Sequence, residues 1–356
     1  MQTINIEDNV LLKGNAKRTY DWFIQRLQEL DSEKASKNGM LARHDWWRYN
    51  YYKQPYLLLE DNETIIERFT DVFTNGLEIS HEGKISVTPM VQNDQRLAQL
   101  FTELIEETNW RGVLNQDSMS IAREQIQSYF ENGTPIAVQL FEGVEGDGNN
   151  NWLLKFSKKK YVQEMFTHGR FRISPASEYA KGSHIRAIKD LETVRNYRLK
   201  AINEILKGND SFEFQGEKSH IENGVVPIEF VMGNYFLFCT CKEISRRMPT
   251  DFESDAVLII KDKKEFIARL EAELLISYPD WEFLEGDVYY YDPYHDLPTD
   301  RNQEFYKHLS YTYQKEHRCI LRPKKPEDYI EHLEPFFIQL GSLSDISEML
   351  YIDSKN

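Results

Sequence analysis

LLKFSKKKYVQEMFTHGRFRISPASEY, residues 153–179, is the stretch from which the fold class of this 356-residue chain follows. Trp152 to Ser157 is a short apolar run that predicts a strand. Lys158 to Thr167 then sets Tyr161, Val162, Met165 and Phe166 on one apolar face of a predicted helix. Gly169 falls where a C-terminal glycine cap belongs. Arg170 to Ser174 alternates as a second strand, and Pro175 ends it.

Downstream, Ser183 to Leu206 reads as a long charged helix. Val226 to Met232 and Tyr235 to Cys241 read as strands flanking a Gly233-Asn234 hairpin turn. Ala256 to Ile260 is a further strand and Lys263 to Ile276 a helix. Asp287 to Tyr291 and His317 to Leu321 are strands, with a helical segment near Glu304 to Ser310 between them. Phe336 to Leu340 is a late strand, and Ser344 opens a last short helix with Asp345 in its first turn. This irregular alternation predicts a mixed α/β (α+β) domain without the rhythm of a Rossmann sheet. No internal repeat and no glycine-rich phosphate loop occurs.

Upstream, Gly143, Glu145 to Gly148 and Asn149 to Asn151 make a Gly/Asn/Asp linker. It divides a mainly helical region, 1–145, from the α/β domain, 150–356. Thr19 to Leu30, Leu97 to Asn109 and Ile121 to Phe130 are predicted helices, and Leu77 to Thr88 alternates like a hairpin around His81, Glu82 and Gly83. The aromatic cluster Trp46, Trp47, Tyr49, Tyr51 and Tyr52 suits core packing or a protein interface.

The net charge of −15 argues against a protein that coats nucleic acid by bulk electrostatics. The charge is uneven. Residues 1–150 hold 14 Lys/Arg against 24 Asp/Glu, whereas residues 151–210 hold 13 against 6. A basic segment inside an acidic chain suggests a local anion site. Three cysteines (Cys239, Cys241 and Cys319) give no disulfide framework and no zinc spacing. They fit reduced thiols in the cytoplasm, and no metal site is expected. No apolar run approaches the roughly 18 residues of a membrane span. The polar, acidic start from Met1 to Val10 does not read as a signal peptide.

Chemistry concentrates between Tyr306 and Arg318. Gln314 and Glu316 stand two apart at the mouth of a strand, where a period of two puts both side chains on one face. A carboxylate there can hold a sugar hydroxyl and stabilise an oxocarbenium-like centre, while the amide orients a second substrate. The plain alternative is a surface Arg–Glu pair. His308, beside Lys307, is a candidate general base, with a satisfied or exposed histidine as the alternative.

The 153–179 unit resembles the opening of the ADP-ribosyltransferase fold, a split β-sheet domain in which a strand, helix, glycine and second strand clamp NAD. The later blocks YFLFCTC, DAVLIIKD, VYYYDP, KHLSYTYQKEHR and FFIQLGS extend the resemblance over residues 152 to 343. The series is also similar to a bacterial domain family linked to phage defence and to ADP-ribosyltransferase toxins encoded beside antitoxins. The resemblance implies Glu316 as the catalytic carboxylate and Gln314 as the residue facing the acceptor. It implies Lys155, Ser157 and Thr240 as contacts to NAD, the substrate. Lys155 stands where better-known branches carry His or Arg and lacks arginine's bidentate fork. Arg186, which shares a helical face with Asp190, is a candidate to supply the cation, with a structural salt bridge as the alternative, and Arg172 is a second candidate, for binding the pyrophosphate. Since Gln-x-Glu accompanies base acceptors in that family, RNA or DNA is the expected acceptor, and an antitoxin or other inhibitory protein the expected partner. Protein modification, plain NAD hydrolysis and a catalytically dead sensor or binding module are the alternatives.

Overall fold

The computed structural model describes residues 12, 14–87, 94–131, 133–144, 151–180, 191–214, 216–298, 302–325 and 328–352. In the first part, the helices Gly14–Ser36, Arg43–Lys53, Asn62–Thr74, Gln95–Arg111, Gln116–Glu131 and Gly133–Leu140 surround one short hairpin, β1 (Leu77–Ile79) and β2 (Ile85–Val87). Trp47, Tyr49, Tyr51 and Tyr52 are buried and belong to the core, whereas Trp46 is exposed. Two of the cluster's hydroxyls and that of the nearby Tyr56 find carboxylates on the helix Gln95–Arg111, while Tyr49 donates to Asp31 on the first helix: Tyr52 donates to Glu106 at 2.6 Å, Tyr51 to Glu107, and Tyr56 to Glu103 at 2.8 Å. Buried hydroxyls need such partners. This helical core is continued by Ile202, Val225, Tyr294 and Leu309 from the second half of the chain.

The 153–179 stretch folds as β3 (Leu153–Ser157), the helix Lys159–His168 and β4 (Arg170–Pro175). Val162 and Met165 are buried, and Gly169 caps the helix at φ 60°. A Cβ at Gly169 would lie 2.2 Å from the Gly341 carbonyl, so the left-handed conformation and the close approach both require glycine. Gly169→Ala is expected to cost about 2 kcal/mol or more. That is a fall of roughly 4–8 °C in a thermal melt.

The next strands are β5 (Val194–Lys200), the hairpin β6 (Ser211–Phe214) and β7 (Glu217–His220), and β8 (Val225–Val231), which pairs with β5. Then come β9 (Phe236–Cys241), β10 (Ala256–Ile260), the helix Lys263–Ser277, β11 (Trp281–Asp287), and β12 (Tyr289–Tyr291) in parallel with β13 (Tyr306–His308). The chain closes with β14 (Glu316–Pro323), β15 (Phe336–Gln339) and β16 (Ser347–Tyr351).

The main sheet runs β11-β14-β9-β3-β10-β16, every pair antiparallel, and β9 also pairs with β4, which carries β15. The sheet therefore forks at β9. One branch joins through Leu154↔Cys241, and the other through Ser174↔Leu237 and Pro175↔Phe236. All five residues of β10 are buried because both faces are covered. Leu258 and Ile260 meet Val162 and Phe266 from the two helices, while Val257 and Ile259 meet Leu140 and Met248.

Four local expectations change. Of the predicted helix Ser183–Leu206, residues 183–190 lie outside the described residues, 194–200 form β5, and Ile202–Leu206 alone is helical. The charged pattern misleads because Arg195 faces inward with Tyr197 at strand spacing, paired with a carboxylate rather than solvated. The strands around Gly233-Asn234 form but do not pair with each other. Gly233 is required because a Cβ would meet the Tyr329 ring at 2.1 Å, not because of a tight turn. The segment near Glu304–Ser310 is two 3-10 turns around β13, and the turn at Ser344 leads into edge strand β16 instead of a helix.

Candidate active site at the fork of the sheet

Where the branches part, a cavity of about 460 Å³ opens between β3, β4 and β9. Small-molecule sites commonly enclose about 300–1,000 Å³. Lys155, Ser157, Arg172, Thr240, Gln314 and Glu316 all line it, although they come from five separate elements. The register explains how both faces of the sheet contribute. Glu316 sits opposite Cys241, and Leu154 pairs with Cys241, so these three share a face; Lys155, Ser157 and Thr240 belong to the other. The fork lets both faces look into one space.

Lys155 has a structural duty there. Its Nζ donates to the Cys239 carbonyl at 2.7 Å and lies 4.7 Å from the Phe238 ring centroid. The lysine satisfies a backbone acceptor between the points where β3 and β4 pair with β9. Thr240 Oγ1 donates to the His317 carbonyl at 3.3 Å. Arg172 is exposed, with Nη1 donating to Ser174 Oγ at 2.8 Å and Nη2 lying 3.7 Å from Glu178. Arg186 lies outside the described residues.

Glu316 anchors a buried chain of charges. Its Oε2 accepts from Lys307 Nζ at 2.8 Å and its Oε1 from Arg318 Nε at 2.7 Å. Arg318 then makes a bidentate pair with Glu192 at 2.7 and 2.8 Å, and Arg195 meets Glu192 at 3.1 Å. Burial alone would push the Glu316 carboxyl up, but Arg318 and then Lys307 outweigh it and hold the group well below the usual carboxylate range. Glu192 is lowered for the same reason, burial being overcome by Arg318 and Arg195. A carboxylate offers about four lone-pair sites, so Glu316 keeps acceptor capacity beyond its two cations.

Gln314 and Glu316 meet, but not through strand periodicity. Gln314 ends the 3-10 turn Leu309–Gln314, and Lys315 then adopts a left-handed conformation with φ 45° before β14 begins. Lys307 Nζ, 3.0 Å from Gln314 Oε1, joins the pair instead. An ammonium can only donate, so the amide oxygen must face Lys307 and the NH2 group lies at the opposite end. Lys307 and Arg318 lie in the 306–318 stretch where the sequence concentrates chemistry, yet no spacing ties Arg318 to Glu192, 126 residues away.

His308 does not line the cavity. Its Nδ1 accepts from the Ser310 N–H at 3.3 Å, capping the turn that carries Gln314, and its ring lies edge-on to Tyr291 at 5.8 Å. It supports the turn and stands outside the cavity lining. Burial lowers its pKa to about 4, with Asp292 opposing and Arg68 assisting. A folded pKa below the ordinary 6.5 means a stabilising contribution that is full above pH 6.5 and lost as pH falls toward 4. Asn is a good cap but does not titrate. His308→Asn should therefore lose less of its melting temperature than the wild type between those two pH values.

The three thiols form no disulfide, and burial raises each, Cys241 to about 12, which favours the neutral thiol over the reactive thiolate. Among the described residues no cluster of His, Cys, Asp and Glu is placed to hold a metal ion, and no helix is long and apolar enough to cross a membrane. No protein-family model, curated protein or solved structure matches the chain.

Proposed function

We propose that the cavity binds NAD and that Glu316 promotes cleavage of its nicotinamide–ribose bond, making the protein an ADP-ribosyltransferase. The observation carrying this reading is a nearly fully buried carboxylate bonded to two cations at a cavity in the fork of the sheet, with Gln314 tied to it through Lys307. As the bond to nicotinamide breaks, positive charge grows on the ribose. A fixed carboxylate favours that state over the ground state, and its spare lone pairs can hold a ribose hydroxyl. Lys307 and Arg318 keep the carboxylate ionised and oriented. Arg172, at the exposed rim, is the residue for the pyrophosphate. The resemblance of residues 153–179 to the NAD clamp supports the same assignment.

Nucleic acid is the proposed acceptor. Tyr161 and Phe337 line the cavity yet are 51% and 56% exposed, so they stand at its mouth. Each carries a cation, with Lys160 Nζ 4.6 Å from the Tyr161 ring centroid and the Arg170 guanidinium 4.3 Å from that of Phe337. Arg172 is the direct partner of Phe337 across β4 and β15. Exposed rings beside cations stack bases and hold phosphates without needing a defined sequence. Plain NAD hydrolysis is the second reading, favoured by the burial of Gln314, which is 1% exposed and easier for water than for a macromolecule to reach. Such an enzyme fits an anti-phage toxin or effector restrained by an inhibitory protein, for which the N-terminal helical region is the proposed contact.

Calorimetric titration with NAD tests the site. Saturable binding is expected, and Ser157→Trp, which fills the cavity, should abolish it. A folded wild-type protein that takes up no NAD at millimolar concentration defeats the proposal.

A further inference from the structure

We propose that Asn75 is a positioning residue through which the N-terminal helical region sets the turn that carries Gln314. Asn75 follows the helix Asn62–Thr74, 238 residues from Tyr313. Its Oδ1 accepts from the Tyr313 N–H at 3.0 Å, and its Nδ2 donates to the carbonyls of Leu309 at 2.9 Å and Asp71 at 2.7 Å. Backbone N–H groups only donate and carbonyls only accept, so one amide orientation satisfies all three bonds. Leu309 and Tyr313 lie at opposite ends of the 3-10 turn Leu309–Gln314, so a single side chain holds both.

A second clamp joins the same two elements. The Arg247 guanidinium lies 3.6 Å from the Tyr313 ring centroid, and its Nη1 donates to the Thr74 carbonyl at 2.5 Å and the Leu77 carbonyl at 3.4 Å. Backbone and ring of the turn are thus both fixed to the end of one N-terminal helix. A movement of that helix end carries Gln314 with it. For its effect on the reaction, this inference rests on the NAD-cleavage reading given above.

Asn75→Asp keeps the acceptor for Tyr313 but replaces the two donated bonds with an oxygen facing two carbonyls. Asn75→Ala removes all three bonds without adding charge. In the full-length protein, hydrogen exchange at residues 309–316 is expected to quicken at least about fivefold in both variants. The strands β10 and β11 and the melting transition should change little. The kcat for NAD cleavage should fall by a similar factor at unchanged KM, because the turn is displaced and the NAD-binding residues are not. Unchanged exchange at 309–316 overturns the proposal, as does faster exchange with an unchanged kcat. If the wild type does not cleave NAD, the catalytic reading has failed, and the exchange result alone decides whether Asn75 holds the turn.

Discussion

Glu316→Gln is expected to lower nicotinamide release from NAD by at least about 100-fold, the scale of losing one preorganised charge-stabilising group. The substitution keeps the shape of the side chain and removes its charge. KM for NAD should change little, because the carboxylate acts most strongly on the charge that develops as the bond breaks. The variant also leaves Lys307 and Arg318 facing a neutral amide whose NH2 end suits neither cation. A loss of about 3 kcal/mol in stability is therefore expected alongside. A melting curve recorded with the kinetics separates the two effects. The rate must fall at temperatures where the variant remains folded. A folded Glu316→Gln variant with wild-type turnover would remove Glu316 from the chemistry.

The largest stability effect is expected at Arg318, which is fully buried and bonded to both carboxylates of the network. Arg318→Met fills much of the same volume but removes the cation that joins the two carboxylates, leaving Lys307 on Glu316 and Arg195 on Glu192. Removing one partner from a buried ion pair costs about 3–5 kcal/mol. The melting temperature should fall by roughly 6–20 °C. Acid changes this difference in a defined direction. Both carboxyls are lowered by folding, so they stabilise the native state above the ordinary carboxylate pKa and lose that effect as pH falls. The gap between wild type and Arg318→Met should be full at neutral pH and narrow below about pH 4. A gap that widens in acid would show that the network does not hold these groups ionised.

What the sequence reveals about this molecule is what it encodes locally. The β3–helix–β4 unit is legible because Val162 and Met165 keep helical spacing and Gly169 stands at the cap, all within 27 residues. Strand β10 is legible as an unbroken apolar run. The partnering of strands is not legible, because hydrogen-bond ladders carry no side-chain label; β8 joins β5 rather than its neighbour β9, and β16 closes the far edge. Buried charge misleads in the same way. Arg195 reads as a solvated helix residue until Glu192 is seen beside it, and Lys307 is unremarkable until it bridges Gln314 and Glu316. The site residues Lys155, Ser157, Arg172, Thr240, Gln314 and Glu316 do converge on one cavity. His308 does not, because β13 turns it toward Ser310 and Tyr291.

The most direct test incubates the purified protein with NAD labelled in the ADP-ribose part, in separate mixtures with RNA, DNA and cell protein, and follows both nicotinamide release and label attachment. Nicotinamide release together with label on nucleic acid is expected, both absent with Glu316→Gln. NAD left intact in every mixture by a folded wild-type protein would contradict it and leave a binding module in place of an enzyme.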